Sequence, residues 1–260
     1  MNPEIVCKYR NLRFIVPSRT ECFWPYYGIC FIGEYDQILE NITSEDIVLD
    51  AGANIGIFTL LAGKKAKKVI AVEPDQENYE YFVKNIRLNV MGNIIAINKA
   101  LSDYIGSGYI FGKGPLKALS HTGTRVSVTT IDSLLRDLSL ERIDVVKMDI
   151  EGSEVKALNG EYLSKVRELM VEVHNKDGYE IVRKILGKNG FEAKEWKLSY
   201  TKVMKRVLQN LGDFLNAEFK TDFLSSKLIL RYIVGASKHP VPAADKESSM
   251  RLIYATRAHS

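Results

Sequence analysis

The sequence has few cysteines and no long apolar run. Its three cysteines, Cys7, Cys22 and Cys30, form no CxxC pair, which disfavours a zinc site and a disulfide framework. No stretch of about 18 uncharged apolar residues occurs, so no membrane span is predicted. The opening MNPEIVCKYRNLRF carries charge early and lacks the apolar core of a secretory signal, and we therefore expect a cytoplasmic protein.

The chain also has little excess charge of either sign. Its net charge is +4, which permits an anionic or nucleic-acid partner but does not argue for one. Hydrophobic residues make up 46% of the chain and charged residues 26%, so a sizeable core can be buried. The 260 residues suit one large α/β domain with an appendage.

Strand-like and helix-like patterns alternate from residue 47 to residue 196. The six predicted strands are 47–50, 68–73, 93–98, 143–150, 168–174 and 191–196. Between the second and third, a predicted helix places Tyr79, Phe82, Val83 and Ile86 on one face. Nearly continuous apolar strands that alternate with helices indicate a parallel sheet covered on both faces, and right-handed crossovers make it doubly wound. A last strand at 250–257 is predicted to pair antiparallel beside the sixth, which completes a mostly parallel seven-stranded sheet.

We assign this alternating core to residues 41–196 and 250–260. Residues 1–40 are predicted to form a β-rich N-terminal cap that contains the strands LRFIVP (12–17) and GICFIG (28–33). The cap is expected to lie over the edge of the sheet.

Two further regions interrupt the core. Residues 103–130 contain GSG, GKGP and HTGT, which indicate loop and hairpin, and SVTTIDSLL is predicted to begin a short helix capped by Thr130 or Asp132. Residues 197–249 are predicted to be a helical insertion followed by a mobile polar loop. We expect this insertion to shape a ligand pocket.

Polar residues follow the predicted strands at the point where each strand ends. They are Asp50, Glu73, the segment 100–103, Asp149 with Glu151, and His174. Ligands of doubly wound sheets bind beyond the carboxyl ends of the strands. The sequence therefore predicts that these side chains form one site.

The stretch VLDAGANIGIFTLLAG (48–63) is a glycine-containing turn between a strand and a helix. A dinucleotide fold usually has G-x-G-x-x-G here, but Asn54 replaces the central glycine and Asp50 precedes Gly52. A carboxylate at that position would repel a pyrophosphate and suits a cationic sulfonium or ammonium group. No G-K-[ST] follows, which excludes a Walker loop.

Glu73 ends the second strand and is suited to accept hydrogen bonds from the ribose hydroxyls of an adenosine cofactor. That role leaves nicotinamide and S-adenosylmethionine cofactors both open.

The chain resembles the FkbM-type family of S-adenosylmethionine-dependent methyltransferases. The matching stretches are DAGANIGIFTL (50–60), AVEPDQENYEYFVKN (71–85), NKALSD (98–103), TTIDSLL (129–135), IDVVKMDIEGSE (143–154) and VEVHN (171–175). They occur in the family's order and cover the core only. The resemblance implies a Rossmann-like methyltransferase fold and S-adenosylmethionine as the cofactor.

The resemblance also implies a set of cofactor-binding residues. The set is Glu34, Tyr35, Asp50, Gly52, Ala53, Asn54, Gly56, Glu73, Pro74, Ser102 and Asp103. Asp50 and the glycine turn would line the methionine part, and Glu73 would hold the ribose. Ser102 and Asp103 would lie beside the adenine, while Glu34 and Tyr35 would close over the cofactor.

A hydroxyl acceptor needs a base to take its proton during methyl transfer. The candidate catalytic residues are Lys147, Asp149, Glu151 and His174. Structural roles stay open: Lys147 and Asp149 could neutralise one another, Glu151 could cap a helix, and His174 could simply end its strand. Asp149, Glu151 and His174 could also bind a divalent cation, although we expect no metal.

We expect O-methylation of a hydroxyl group on a small molecule or a glycan. An RNA methyltransferase is a second possibility, but no [DN]-P-P-[YF] follows the fourth strand. A nicotinamide-dependent oxidoreductase and a non-catalytic cofactor-binding protein also stay open. Neither the acceptor nor the oligomeric state is predicted by the sequence.

Overall fold

The computed structural model describes residues 4–17, 23–112, 117–174, 176–221 and 251–258. Its strands are β1 (Glu4–Tyr9), β2 (Leu12–Pro17), β3 (Ile47–Ala51), β4 (Lys68–Val72), β5 (Ile94–Ile97), β6 (Ala100–Leu101), β7 (Gly106–Phe111), β8 (Ala118–Ser120), β9 (Thr124–Thr129), β10 (Val145–Met148), β11 (Glu168–Val173), β12 (Phe191–Glu195) and β13 (Arg251–Arg257). Its α-helices are α1 (Trp24–Tyr27), α2 (Asp36–Asn41), α3 (Ile57–Gly63), α4 (Gln76–Leu88), α5 (Ile131–Asp137), α6 (Glu154–Ala157), α7 (Lys176–Lys188), α8 (Tyr200–Gln209) and α9 (Leu211–Thr221).

The central sheet is mixed and has seven strands in the order β12-β13-β11-β10-β3-β4-β5. The strands from β11 to β5 pair in parallel, whereas β13 lies between β11 and β12 and pairs antiparallel with both. Because β3 lies between β10 and β4, the turn after β3 has the ends of those two strands on either side. This arrangement brings the predicted strand-end residues to one edge of the sheet.

Helices and apolar side chains cover both faces of the sheet. One face packs against α3, α4 and the N-terminal segment, where Val48, Phe58 and Phe82 are buried together. The opposite face packs against α5, α6 and α7, where Leu49, Leu134 and Val182 are buried. Val48 and Leu49 are adjacent in β3 and point to opposite faces, as the two-residue period of a strand requires.

The N-terminal segment is less β-rich than predicted. LRFIVP forms β2 and pairs with β1, but GICFIG is not a strand, because Gly28–Ile32 form a π-helical turn that ends at Gly33. A short apolar run without alternation does not distinguish a buried strand from a buried helical turn. The side chain of Asn85 on α4 anchors the segment, donating to the carbonyls of Ile15 and Ile55 and accepting from the amide of Ile15.

Residues 100–129 contribute a second sheet of four strands in the order β6-β9-β7-β8. The sequence SVT, predicted to begin a helix, lies in β9, and the helix α5 begins at Ile131. Its cap is Thr130, whose hydroxyl accepts from the amide of Ser133, while Asp132 accepts from the amides of Glu161 and Tyr162. In place of a simple hairpin, the segment forms a sheet beside the central one.

The described part of the predicted insertion is helical and packs on the N-terminal segment. Arg206 of α8 donates to the carbonyl of Cys30 at 2.7 Å and forms an ion pair with Asp36. Phe214 of α9 makes edge-on contacts with Tyr27 and Phe31. The predicted mobile loop lies outside the described residues. Among the described helices, none combines the length and apolar character that a bilayer crossing needs.

Candidate active site

The turn between β3 and α3 depends on left-handed backbone at Gly52, Asn54 and Gly56, whose φ angles are 80°, 52° and 88°. At Gly52 a side chain is also excluded by space, because a Cβ would lie 1.7 Å from the carbonyl oxygen of Asp149. The glycine therefore lets the end of β10 approach the turn closely. The turn and Asp149 consequently share one wall of a cavity.

Asp50 lies beneath this turn and not in the cavity. Its side chain is fully buried; one oxygen accepts from the hydroxyl of Thr59 at 2.5 Å and the other lies 3.1 Å from Nζ of Lys147. Lys147 also donates to the carbonyl of Gly52 at 2.7 Å. Burial acts to lower the pKa of Lys147, but Asp50 and Asp149 outweigh it and the pKa is raised. The pair is therefore an ion pair that supports the turn from below.

Glu73 follows β4 on the other side of the turn. Its carboxylate accepts from the amides of Asn54 and Asp75, at 2.7 and 2.9 Å. Burial raises the pKa of Glu73 to about 7, although these two backbone hydrogen bonds oppose the shift. The carboxylate is thus held by the backbone and lines the cavity.

The cavity runs along the carboxyl edge of the sheet and has about 860 Å³ of open space, its mouth included. Its lining contains the turn residues Gly52, Ala53 and Asn54, the pair Glu73 and Pro74, and the pair Asp149 and Glu151. Apolar side chains, among them Ile29, Phe58, Leu101, Ile110 and Leu119, form much of the rest. We call the part beside Glu73 the Glu73 end and the part beside Asp149 and Glu151 the Asp149 end.

His174 gathers four carboxylates behind the Asp149 end. Its Nδ1 lies 2.9 Å from Glu154 Oε1, and its Nε2 lies 3.2 Å from Glu151, 3.6 Å from Asp149 and 3.8 Å from Glu172. Glu172 lies on β11 and His174 directly follows that strand, two residues later, so the two side chains point to the same side. Lys147 Nζ lies 3.8 Å from the other oxygen of Asp149, so the four candidate catalytic residues are brought together, and the structure adds Glu154 and Glu172 to them.

The environment of this cluster shifts several pKa values. Burial acts to lower the pKa of His174, but the hydrogen bond to Glu154 and the charges of Asp149 and Glu151 raise it to about 10. Burial raises the pKa of Glu151 to about 7. Burial and the charge of Asp149 raise the pKa of Glu172 to about 8. At neutral pH His174 is therefore a cation, while Glu151 is about half protonated and Glu172 is mostly protonated.

Asp149, Glu172 and His174 could hold a divalent cation, since each offers one ligand atom and these atoms lie within 4.8 Å of one another. Oδ1 of Asp149 is buried and accepts no hydrogen bond from the described residues. A set of two carboxylates and one imidazole suits Mn²⁺ or another transition metal better than Ca²⁺. The sequence analysis considered Asp149, Glu151 and His174 as metal ligands; in the structure the set contains Glu172 instead of Glu151.

Six residues expected around the cofactor do not line the cavity: Asp50 beneath the turn, Gly56, which is buried in the turn, and the four described next. Ser102 is buried and donates to Asp103, and neither lines the cavity, whereas the preceding residues 99–101 do. Tyr35 is buried behind the Asp149 end, where its hydroxyl donates to Glu172 at 2.7 Å. Glu34 is half-buried and also lies outside the cavity lining.

Several residues of the site escape prediction from the sequence. Glu172 and Glu154 carry a signal, because each lies two or three residues from a predicted residue in VEVH or DIEGSE. Ile110, Lys117 and Leu119 of the second sheet and Pro25 of the N-terminal segment also line the cavity. No local pattern marks these four residues, since they reach the cavity through long-range packing.

A cavity at the carboxyl ends of the strands, beside a strand-to-helix glycine turn, is the place where α/β sheets bind their ligands. A family model described as "Methyltransferase FkbM domain" matches residues 50–212, which is more than half of the chain. The chain therefore belongs to the FkbM methyltransferase family, and the predicted resemblance is confirmed.

Individual proteins are similar at a lower level. Methyltransferase sdnD of Sordaria araneosa is 27% identical over 234 residues, a match that covers 73% of this chain and 89% of sdnD. Hexuronic acid methyltransferase AglP of Haloferax volcanii is 28% identical over 152 residues, which cover 55% of this chain and 63% of AglP. A solved methyltransferase FkbM from Methylobacillus flagellatus is 18% identical with a TM-score of 0.47, covering 67% of this chain and 49% of that protein.

Proposed function

We propose that the protein transfers the methyl group of S-adenosylmethionine to a hydroxyl group on a small molecule or a glycan. The observation that carries this proposal is one cavity with two acidic ends, Glu73 on one side of the glycine turn and Asp149 with Glu151 on the other. One end suits ribose hydroxyls, and the other suits a hydroxyl that must lose its proton.

The residues at the Glu73 end fit an adenosine-bearing cofactor. Each oxygen of Glu73 accepts one backbone hydrogen bond and keeps a further lone pair for a ribose hydroxyl. Leu101, Ile110 and Leu119 supply apolar surface for a flat base. Bound there, S-adenosylmethionine supplies an electrophilic methyl group on a sulfonium centre.

At the Asp149 end, Asp149 and Glu151 line the cavity and are the side chains placed to take a proton from the acceptor. His174 contacts both carboxylates from behind and holds them in place. Lys147 also lines the cavity, but Asp50 and Asp149 raise its pKa, so it stays charged and takes no proton. With Asp50 it supports the turn. The apolar lining excludes water and orients the reactants, which is a large part of what methyl transfer requires.

The division of the chain follows from the same proposal. In the central sheet four strand pairs are parallel and one strand, β13, is reversed. This supports a doubly wound, mostly parallel methyltransferase core at 41–196 and 250–260. We assign residues 1–40 to a cap, because Pro25 and Ile29 line the cavity. Residues 197–249 are assigned to an insertion, and its described residues, 197–221, do not line the cavity.

The acceptor class draws support from one relative. The name of AglP states that it acts on hexuronic acid, and a sugar acid presents hydroxyl groups beside a carboxylate. We therefore place uronic-acid glycans first among the acceptors to be tried, with other hydroxylated small molecules second.

The test is a transfer screen with labelled S-adenosylmethionine against uronic-acid glycans, hydroxylated small molecules and total RNA. Label should enter a hydroxyl acceptor. Asp149→Asn and Glu151→Gln should each lower turnover about 100-fold, a typical contribution of general base catalysis, while affinity for S-adenosylhomocysteine changes less than threefold. Glu161→Gln, at an exposed acid outside the cavity lining, is the matched control.

Different results would support a different function. Label in RNA alone would favour the RNA methyltransferase. Thermal stabilisation by NAD but not by S-adenosylhomocysteine would favour the oxidoreductase, since a ligand stabilises the native state that binds it. Binding without transfer to any acceptor would favour a non-catalytic protein.

A further inference from the structure

Glu154 is a buried acid that the proposed reaction does not use directly. It is the first residue of α6, its side chain is 1% exposed, and it does not line the cavity. Its Oε1 accepts from the amide of Gly152 and lies 2.9 Å from Nδ1 of His174. A carboxylate this deeply buried is costly unless a hydrogen-bonded partner compensates its charge.

The contact with Glu154 determines which way the ring of His174 is turned. An ionised carboxylate only accepts, so Nδ1 must donate to it. Nε2 is then left to face Glu151, Asp149 and Glu172, at 3.2, 3.6 and 3.8 Å. A ring nitrogen fixed by a buried acid is how proteins orient a functional imidazole.

We propose that Glu154 is a positioning residue for methyl transfer, which keeps the imidazole of His174 turned so that Nε2 faces the carboxylates of the Asp149 end. This inference rests on the proposed function. Glu154 acts through His174, because its own carboxylate reaches neither the cavity nor an acceptor. Loss of its charge weakens the hydrogen bond from Nδ1, which loosens the ring and its hold on Asp149 and Glu151.

A purely structural role has to be separated from this one. Glu154 also stabilises the turn that contains Glu151 and Gly152, whose φ angles are 52° and 99°. Glu154→Gln keeps an oxygen for the amide of Gly152 and removes only the charge. Glu154→Asp keeps the charge on a shorter side chain. The exposed Glu161→Gln serves as the matched control.

The first measurement is an NMR titration of the histidine rings in the full-length protein, with EDTA present and His174→Asn used for assignment. In Glu154→Gln the His174 ring should lose its proton at a lower pH than in the parent, by at least about one pH unit, as expected when the acceptor of an imidazolium's hydrogen bond loses its charge. Glu154→Asp should restore part of the shift. An unchanged titration in Glu154→Gln would overturn the proposal.

The second measurement is kinetic. Glu154→Gln should lower kcat about tenfold, a typical effect of removing a supporting acid, and should move the pH profile of kcat, with the KM for S-adenosylmethionine changed less than twofold. A fall in kcat with an unmoved pH profile would assign Glu154 a structural role and overturn the proposal. If the parent transfers no methyl group, the proposed function fails, whereas the titration still decides the contact between Glu154 and His174.

Discussion

The two ends of the cavity hold their carboxylates in different ways. At the Glu73 end, one carboxylate accepts two backbone amides, and those amides belong to turns whose shape the glycines and Pro74 determine. At the Asp149 end, four carboxylates surround one histidine, with a lysine beneath. The first end depends on backbone geometry and the second on side-chain charges. A single substitution should therefore disturb the second end more than the first.

The largest effect is expected from Lys147→Met. Lys147 is 3% exposed and is the cation facing the buried Asp50. Removing one partner of a buried ion pair leaves the other charge uncompensated, so the free energy of unfolding should fall by about 3–5 kcal/mol. Urea denaturation measures this loss. Lys67→Met, at an exposed position, should leave the free energy of unfolding nearly unchanged.

A double variant separates charge from packing. In Asp50→Asn with Lys147→Met neither charge remains, so part of the loss should be recovered, about 1–3 kcal/mol relative to the sum of the two single variants. Losses that simply add would mean that the lysine stabilises the turn by packing and by its hydrogen bond to Gly52. The Asp149 end would then depend less on side-chain charge, and it would differ less from the Glu73 end.

His174→Ala should have the next largest effect, on turnover. Without the imidazolium, Asp149 and Glu151 lose the partner that holds them in place and repel one another. We expect kcat to fall about 100-fold, or about 2.7 kcal/mol, while affinity for S-adenosylhomocysteine changes less than threefold. Single-turnover rates and calorimetry measure the two quantities. His121→Ala removes an exposed histidine and is the control; equal rates in His174→Ala and the parent would remove His174 from the mechanism.

The Glu73 end should respond to pH. Burial raises the pKa of Glu73 to about 7, and only the ionised form is free to accept from both ribose hydroxyls. Affinity should therefore rise with pH, about tenfold between pH 6 and pH 8. The ligand for this measurement is 5′-methylthioadenosine, because it lacks the amino-acid part and reports the Glu73 end alone.

Glu73→Gln provides the check on that assignment. The amide does not titrate, so its affinity should be weak and independent of pH over the same range. If affinity for 5′-methylthioadenosine still changed with pH in Glu73→Gln, another group would be responsible for the pH dependence. The Glu73 end would then also depend on distant charges, and the contrast with the Asp149 end would be lost.

The strand-end residues were predictable because they follow from local pattern and one general rule. Apolar strands that alternate with helices place their carboxyl ends at one edge, and this brings Asp50, Glu73 and Asp149 together without further information. The rule does not say which of them faces the cavity. Asp50 is turned beneath the sheet edge by Thr59 and Lys147, and that choice depends on side chains nine or more residues away.

The contacts that the N-terminal cap and the second sheet make with the site could not be predicted from local sequence patterns. Tyr35 reaches Glu172 across 137 positions of sequence, and Lys117 reaches Asp75 across 42. Such contacts depend on how the cap and the second sheet pack on the core. GICFIG shows the same limitation at short range, since its apolar run fits a buried helical turn as well as a strand.

The smallest effect is expected from Lys117→Met, which tests whether the Glu73 end needs any side-chain charge. Lys117 forms an ion pair with Asp75 at 2.6 Å, and its side chain is 25% exposed. Asp75 also caps α4 through the amide of Asn78, so it keeps a partner when the lysine is lost. A partly exposed pair contributes about 0.2–1 kcal/mol and is screened by salt.

In Lys117→Met, affinity for S-adenosylhomocysteine should fall about twofold at low salt and match the parent at high salt, and kcat should not change. Lys64→Met, at an exposed position, is the control. A loss well above tenfold that persists in salt would mean that Lys117 contacts the ligand itself, and both ends of the cavity would then depend on side-chain charge.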